Sequence, residues 1–225
     1  MLAKKYKSKL VALSSPFKDI YTLEFKSLIT KYKYYPGQFL HIALDPDYDG
    51  ASQWPESRCF SMQSNPDQEN IKITYSIKGQ FTQRMEELLH IGTEVWLKLP
   101  YGDLFKQPHE KVNTVFIAGG TGITPFLSLF THNSFKEYSN PHIYLGFRSI
   151  FYNIYMQELN SIKSYNPKIY YENIEGLIDI HKIFSENGIK SSYFISGPPD
   201  MIKLFKQVLI AKGVPKTQVL TDDWE

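Results

Sequence analysis

The sequence contains one cysteine, Cys59, among its 225 residues. A lone thiol cannot form an internal disulfide framework, a cysteine-ligated iron–sulfur cluster or a cysteine-rich zinc site within this chain. The six histidines are scattered, with no pair at the spacing of metal ligands. We therefore expect no metal site and a reducing compartment.

The sequence also lacks long apolar runs and an excess of one charge. No stretch is long enough to span a bilayer, and the lysine-containing N-terminal segment has no long apolar core before a cleavage site. The 25 basic and 23 acidic residues are spread along the chain and leave a formal net charge of +2, which argues against a nucleic-acid surface. These features predict a cytoplasmic protein that neither enters a membrane nor binds nucleic acid.

Short segments with β-strand alternation fill the first half of the chain. Their apolar, β-branched and aromatic residues alternate between turns such as Pro36–Gly37. The segments are 7–16, 20–28, 37–44, 58–64, 71–79 and 94–100. Helical spacing of apolar residues predicts one helix at 81–89. A closed or sandwiched antiparallel sheet is expected, and the long polar loop 45–57 is either a lid or a tolerated surface insertion.

After about residue 110 the pattern changes to strands alternating with helices. Predicted strands cover residues 113–120, 142–149, 168–173 and 191–197, and predicted helices cover 123–133, 155–162 and 198–213. Such alternation indicates a parallel sheet with helices on its faces, as in nucleotide-binding folds. We divide the chain into domains at residues 1–108 and 109–225.

The segment AGGTGITPFLSL, residues 118–129, directly follows an apolar strand and precedes a helix. Small residues in such a turn let the backbone approach a pyrophosphate, toward which the helix directs its unpaired amides. The candidate binding residues are Gly119, Gly120, Thr121, Gly122, Thr124 and Pro125. The two threonines are expected to add hydroxyl donors, and the alternative is a turn that serves only strand–helix packing.

Two further segments suggest a second phosphate site in the first half. In ESRCFSMQSNP, residues 56–66, an arginine, an aromatic ring and a hydroxyl on one strand suit the parts of a flavin nucleotide. In IKGQFTQRM, residues 77–85, a strand enters a helix through a glycine, which leaves amides available to an anion. Alone, either pattern also describes a solvated arginine or an ordinary capped helix. Together with the glycine turn they favour a protein that holds two dinucleotides.

In order and spacing, these segments resemble the ferredoxin–NADP reductase superfamily of FAD- and NAD(P)H-binding reductases over essentially the whole chain. The resemblance implies an FAD-binding antiparallel β-barrel followed by a Rossmann-like NAD(P)-binding α/β domain. In the RCFS segment, which includes Cys59, it implies Arg58 at the flavin-side phosphate, Phe60 against the isoalloxazine and Ser61 near its reactive nitrogen. The implied residues beneath the FAD pyrophosphate are Gly79, Gln80, Phe81 and Thr82.

The resemblance also assigns residues to the nicotinamide dinucleotide. Arg148 in LGFRS would face the adenosine portion, and SGPPDM resembles a Cys-Gly-Pro-x-x-Met motif beside the flavin. By this resemblance, the residues that hold the nicotinamide are Ser196, Gly197, Pro198 and Met201, and Ser196 replaces the family's cysteine. Trp224 resembles a C-terminal aromatic that covers the flavin, and Asp222 is a candidate acid nearby. The residues expected to act directly in the chemistry are Ser61, Ser196 and Trp224.

These assignments imply hydride transfer from NADH or NADPH to FAD, followed by electron delivery to a separate acceptor such as ferredoxin, flavodoxin or another partner. The segment YYENIEG, residues 170–176, lacks a second basic residue for a 2′-phosphate, which favours NADH. Two alternatives stay open at this point. The chain could be a reductase that uses free flavin as its substrate, or a noncatalytic flavin- or nucleotide-binding regulatory module.

Overall fold

The computed structural model of the chain describes residues 2–222. The chain divides into two compact units, Met1–Asp103 and Leu104–Glu225. The sequence places the boundary after residue 108. The units divide earlier because Leu104 and Phe105 pack into the core of the second unit.

The first unit is a six-stranded antiparallel sheet with the strand order β4-β3-β6-β1-β2-β5. Its strands are β1 (Lys4–Phe17), β2 (Ile20–Ser27), β3 (Phe39–Ala43), β4 (Ser57–Ser61), β5 (Ile71–Ser76) and β6 (Glu94–Tyr101). The amide of Gln63 donates to the carbonyl of Lys72 at 2.8 Å. This bond joins the segment after β4 to β5, the strand at the opposite end of the order, so the sheet curls into a barrel.

Alternating side chains of these strands fill the barrel. Leu10, Leu23, Phe25 and Leu40 are fully buried, and the helix α1 (Gln80–Leu88) adds Met85 to the same core. Burial of large apolar side chains is the main stabilising contribution to such a unit. The alternation that predicts the strands therefore also identifies the residues that point inward.

Loop 45–57 is held against the barrel by aromatic and backbone contacts. The indole Nε1 of Trp96 donates to the carbonyl of Tyr48 at 2.9 Å, and Lys5 Nζ donates to the carbonyl of Gly50 at 3.0 Å. Within the loop, Trp54 Nε1 donates to Ser57 Oγ at 2.8 Å. A lid must be able to leave its position, so these contacts favour an anchored surface loop.

The second unit is a five-stranded parallel sheet with the order β11-β10-β7-β8-β9. Its strands are β7 (Thr114–Gly119), β8 (His142–Phe147), β9 (Lys168–Tyr171), β10 (Ser192–Ser196) and β11 (Val219–Thr221). The helices are α2 (Thr124–Phe130), α3 (Met156–Leu159), α4 (Glu172–Glu175), α5 (Ile180–Asn187) and α6 (Pro199–Ala211). Two apolar clusters pack on this sheet: one includes Phe116, Phe126 and Phe194, and the other includes Tyr193 and Ile195.

The strand order reverses direction at β7. From β7 the chain moves outward to β8 and β9, then returns to β10 on the other side of β7. In open parallel sheets, ligands bind at the carboxyl ends of the strands where the order reverses. The segments that follow β7 and β10 therefore occupy the expected binding edge.

The fold predicted from the sequence, a barrel followed by a Rossmann-like sheet, is confirmed. Helix α5 and strand β11 were not predicted from the sequence. Among residues 2–222, no helix is both long and apolar enough to cross a membrane.

Candidate functional site

Strand β4 presents the two main predicted flavin residues on one face. Arg58 and Phe60 pair with Ile42 and Leu40 of β3, and residues paired in register share a face of the sheet. Phe60 packs against the core, with its ring centroid 5.9 Å from that of Tyr75. The side chain of Arg58 is 55% exposed, so its guanidinium is accessible to a ligand.

The opposite face of β4 carries Cys59 and Ser61. Cys59 pairs in register with His41 and is exposed, whereas Ser61 is half-buried. His41 Nδ1 lies 3.3 Å from Ser57 Oγ. Burial lowers the pKa of His41, and the charge of Lys98 lowers it further. Arg58 and Phe60 thus lie on one face of β4, and the Cys59 thiol and the Ser61 hydroxyl lie on the other.

Helix α1 begins at the predicted phosphate turn. Its first helical hydrogen bond runs from the amide of Gln83 to the carbonyl of Gly79 at 3.0 Å. The amides of residues 80–82 precede that bond and have no carbonyl partner within the helix. The Thr82 hydroxyl accepts from the amides of Lys78 and Gly79 at 2.9 and 3.1 Å. Its hydroxyl therefore fixes the turn, and the donors available to a phosphate are backbone amides.

A charged cluster lies beside this helix start. The guanidinium of Arg58 lies 5.2 Å from the ring centroid of Phe81. Glu56 contacts Arg58 at 3.4 Å through Oε1 and accepts from Arg84 at 2.9 Å through Oε2. Sequence reasoning missed Glu56 and Arg84, because their pairing across 28 positions depends on the tertiary fold.

The first unit fits the phosphates of a flavin nucleotide. A Cβ placed on Gly79 would meet no atom within 4 Å, so the start of α1 has open space beside its backbone. Unpaired helix amides and the two guanidinium groups of Arg58 and Arg84 suit an anion there. The half-buried ring of Phe60 provides an apolar surface on the same strand as Arg58.

In the second unit, the turns after β7 and β10 meet at the reversal of the strand order. A Cβ on Gly122 would lie 2.4 Å from the Cα of Gly197, and one on Gly119 would lie 2.9 Å from Met201 Sδ and 3.0 Å from Pro198 Cδ. Gly197 itself has a φ of +153°. The structure thus brings both predicted dinucleotide motifs together, and Gly119 and Gly122 are required by this packing irrespective of a ligand.

Gly120 differs from its neighbours. Its φ is +55°, which favours glycine, and a Cβ there would meet no atom within 4 Å. The open backbone at Gly120 is the part of the turn that fits a pyrophosphate. Residues Gly120–Ile123 form a short 3-10 turn that leads directly into α2.

The two threonines of the turn are not equivalent. Thr124 is buried, and its Oγ1 donates to the carbonyl of Thr121 at 2.9 Å. The expectation that Thr124 offers its hydroxyl to the cofactor is therefore wrong, because that hydroxyl closes the turn. Thr121 is half-buried and is the threonine positioned near Gly120. Pro125 is buried in the first turn of α2, where its lack of an amide proton is tolerated.

Ser196 ends β10 beneath the dinucleotide turn. It is 2% exposed, and its Oγ donates to Asp222 Oδ2 at 3.2 Å. The amide of Asp222 donates to the carbonyl of Ile195 at 3.0 Å, which holds the carboxylate beside the serine. Asp222, expected as an acid near the flavin, is thus a partner of Ser196. Trp224 lies outside the described residues.

Arg148 follows β8 and is exposed. Its guanidinium lies 5.8 Å from the ring centroid of Tyr152, and its carbonyl accepts from the amide of Asn173 at 3.2 Å. The second bond joins the end of β8 to the start of α4, which carries Glu172 and Glu175. Arg148 is therefore a cation at the carboxyl edge of the sheet with two carboxylates on the adjacent segment.

Comparison with known proteins relates this arrangement to reductases, although no protein-family model matches the chain. The reductase component of propane 2-monooxygenase from Mycolicibacterium smegmatis is 29% identical over 95% of this chain and 66% of its own length. The apicoplast ferredoxin–NADP reductase of Plasmodium falciparum is 27% identical over 62% of this chain and 43% of its own length. The chain spans about two thirds or less of the curated relatives it matches.

A solved structure shows the same fold across both units. The ferredoxin–NADP reductase of Neisseria gonorrhoeae, crystallised with FAD and NADP, superposes with a TM-score of 0.74 at 18% identity. The match covers 93% of this chain and 92% of that one. The predicted resemblance to the ferredoxin–NADP reductase superfamily is confirmed by these relatives and by the shared fold. These relatives are named as reductases, which agrees with the predicted class of NAD(P)H-dependent flavoprotein reductase, and the Neisseria structure holds FAD and NADP, which agrees with the predicted cofactors.

Proposed function

We propose that this chain transfers electrons from a nicotinamide dinucleotide, through bound FAD, to a separate electron acceptor. The observation that carries the proposal is the packing of the glycine turn after β7 against the turn after β10 at the reversal of the strand order. That is the edge at which nucleotides bind in such sheets. The first unit adds a cationic helix start that suits a second nucleotide.

When bound, the nicotinamide supplies a hydride and the flavin accepts it and releases electrons to the acceptor. The chain's own residues bind and orient these groups. In the first unit, Arg58 and the amides at the start of α1 bind phosphate, and Phe60 supports the flavin ring. Ser61 is the last residue of β4, and its hydroxyl is available to the polar edge of the flavin at the end of the strand. Cys59 belongs to the same strand as Arg58, and Gln80 and Phe81 belong to the start of α1, so all three are retained as proposed flavin-binding residues.

In the second unit, the backbone at Gly120 and the hydroxyl of Thr121 hold the pyrophosphate, and Arg148 binds the adenosine portion. Ser196, with its hydrogen bond to Asp222, orients the nicotinamide beside Gly197. Trp224 retains its proposed role as a cover for the flavin.

We propose NADH as the preferred donor. The segment after β9 carries Glu172 and Glu175 and no basic residue between positions 169 and 176. Carboxylates at this edge suit ribose hydroxyls and repel a 2′-phosphate. Arg148 alone provides a cation on the adjoining segment, which is half of the usual pair for a phosphate.

The acceptor is proposed to be a separate redox protein, such as ferredoxin, flavodoxin or the partner component of an oxygenase. Support comes from the relatives, which are named as the reductase component of a propane monooxygenase and as a ferredoxin–NADP reductase. A cytoplasmic location is retained as part of the proposal.

One observation favours a second function, the reduction of free flavin as a substrate. Arg58 and Arg84 are 55% and 46% exposed and both contact Glu56, so part of their charge is already neutralised. A flavin bound at such an exposed, partly neutralised site would exchange more readily. Retention of yellow colour after exhaustive dialysis separates the two functions, because a resident cofactor stays with the protein.

The proposal is tested by anaerobic visible spectra of the purified full chain, recorded with NADH and with NADPH in separate samples. Loss of the visible absorbance of oxidised flavin is expected to be faster with NADH than with NADPH. Reoxidation on adding ferredoxin or flavodoxin, faster than with dioxygen alone, would support a protein acceptor. A bound flavin that stays oxidised with both donors would contradict the enzyme and leave a noncatalytic binding module.

A further inference from the structure

We infer that Glu56 competes with the flavin phosphates for Arg58 and Arg84, and that Glu56 and Arg84 therefore set how tightly the flavin is held. The inference rests on the proposed function, because it concerns the same flavin site. The affinity of the chain for the flavin decides whether the flavin is a resident cofactor or an exchanging substrate.

The three side chains form one continuous ionic cluster. Glu56 divides its carboxylate between the two arginines, with Oε1 3.4 Å from Arg58 Nη2 and Oε2 2.9 Å from Arg84 Nη1. One carboxylate against two guanidinium groups leaves a net charge of +1. Each of the three side chains is about half exposed, so a phosphate from solvent can reach the cluster.

The cluster lies against the start of α1. Phe81 and Arg84 are three positions apart and thus share a face of the helix, and the guanidinium of Arg58 lies over the Phe81 ring. Arg58 thus lies beside the first turn of α1, where the helix amides have no carbonyl partner, and Arg84 projects from the same face of the helix. Arg84 belongs to the same anion-binding surface as Arg58, although it is outside the RCFS segment.

Glu56 is held in this position by its own loop. The adjoining residues are fixed by the hydrogen bond from Trp54 to Ser57, and Arg58 Nη1 also donates to the Ser57 carbonyl at 2.9 Å. The remainder of loop 45–57 is anchored to the barrel through Tyr48 and Gly50. This loop thus has a role at the site, which is to present a carboxylate to the two arginines.

A phosphate that binds here must either displace Glu56 from the arginines or bind beside its carboxylate, where the like charges repel and weaken binding. Exposed ion pairs change equilibrium constants by up to about fivefold each. Removing the Glu56 charge is therefore expected to tighten binding of phosphate-bearing flavins by about three- to tenfold. Removing Arg84 is expected to weaken it by about tenfold, the usual effect of losing a charge-assisted hydrogen bond.

The test measures dissociation constants by quenching of flavin fluorescence, using the full chain freed of flavin by dialysis against a chaotropic salt, which releases a resident cofactor as well. The variants are Glu56→Gln and Arg84→Ala, and each is titrated with FAD, FMN and riboflavin. Riboflavin has the same ring without a phosphate, so it isolates the electrostatic effect. Glu69→Gln is the matched control, because it removes an exposed carboxylate paired with Lys26 elsewhere on the barrel.

The expected result is tighter binding of FAD and FMN by Glu56→Gln, weaker binding by Arg84→Ala, and unchanged riboflavin affinity in both. Unchanged FAD affinity in either variant, or equal changes for all three flavins, would overturn the inference while leaving the proposed function intact. Failure of the unaltered chain to bind any flavin would instead overturn the proposed function, and this inference with it.

Discussion

Gly122 packs so closely against Gly197 that a Cβ at position 122 would lie 2.4 Å from the Cα of Gly197. Gly122 lies in the turn after β7 and Gly197 in the turn after β10. Neither residue can move without displacing the end of its strand. The same contact aligns the two segments that we propose bind the nicotinamide dinucleotide. A change at Gly122 should therefore affect both the stability of the second unit and its binding of the dinucleotide.

Gly122→Ala is expected to lower the free energy of unfolding by about 2–3 kcal/mol, the upper range for overpacking against an unyielding neighbour. Urea unfolding followed by circular dichroism measures this change, and titration with NADH measures the loss of affinity. Gly79→Ala is the stability control, because a Cβ there meets no atom within 4 Å and the backbone is extended. Equal unfolding free energies for the two variants would contradict the close contact.

The hydrogen bond between Ser196 and Asp222 predicts coupling between these positions. Ser196→Ala leaves the Asp222 carboxylate without this donor, and Asp222→Asn weakens the acceptor. A double-mutant cycle on urea unfolding should give a coupling free energy of about 1 kcal/mol, typical of one hydrogen bond. Strictly additive effects of the two changes would show that the bond contributes nothing to folding.

The fold was largely predictable because its strands carry strong local patterns. Alternation identifies the six barrel strands, and Gly119–Gly120 after an apolar run identifies the first dinucleotide turn. Strand β11 was missed because its three residues carry no pattern of their own and form a strand only by pairing with β10. Helix α5 had a usable signal, since Asp179 caps its start and Gly188 follows its end.

The candidate site was predictable where chemistry lies in short motifs and unpredictable where it depends on tertiary contacts. The RCFS segment identifies Arg58, but nothing local indicates that Glu56 joins it to Arg84 on a helix 28 positions away. Likewise, the sequence offers Thr124 as a donor, and only the folded turn shows that its hydroxyl is committed to Thr121. Motifs identify residue types, whereas the fold decides which atoms remain available.

Arg58→Ala is expected to weaken FAD binding by roughly ten- to one-hundredfold, since hydrogen bonds to charged groups contribute about 1.5–3 kcal/mol. Fluorescence titration of the full chain measures the change, and riboflavin affinity should fall much less. Lys26→Ala removes an exposed cation from the same barrel and serves as the control. If Arg58→Ala retained the parental FAD affinity, Arg58 would have no place in the flavin site.

His41 predicts a loss of stability in mild acid. Its pKa is lowered from the ordinary value of 6.5 by burial and by Lys98, so the unfolded chain takes up a proton before the folded chain does. The free energy of unfolding should therefore fall as the pH drops below about 6.5 toward the folded-state pKa, and then level off. His41→Gln should show a smaller fall between pH 7.5 and 5.5 in urea unfolding followed by tryptophan fluorescence. An unchanged pH dependence in that variant would exclude His41 as a source of the acid sensitivity.

Arg148 provides the test of the dinucleotide assignment in the second unit. Its exposed guanidinium stands at the carboxyl edge of β8, next to the segment that carries Glu172 and Glu175. Arg148→Ala should raise the dissociation constant for NADH by about tenfold through loss of a charge-assisted contact, while flavin content stays at the parental level.

Glu172→Gln should lower the dissociation constant for NADPH, because removing a carboxylate reduces repulsion of the 2′-phosphate. Lys163→Ala removes a basic side chain from the 3-10 segment Asn160–Tyr165 and is the charge-matched control. Binding isotherms for both dinucleotides measure all three variants. Identical constants for Arg148→Ala and the parent would remove Arg148 from the site, and an unchanged NADPH constant for Glu172→Gln would contradict the carboxylate repulsion on which the proposed preference for NADH rests.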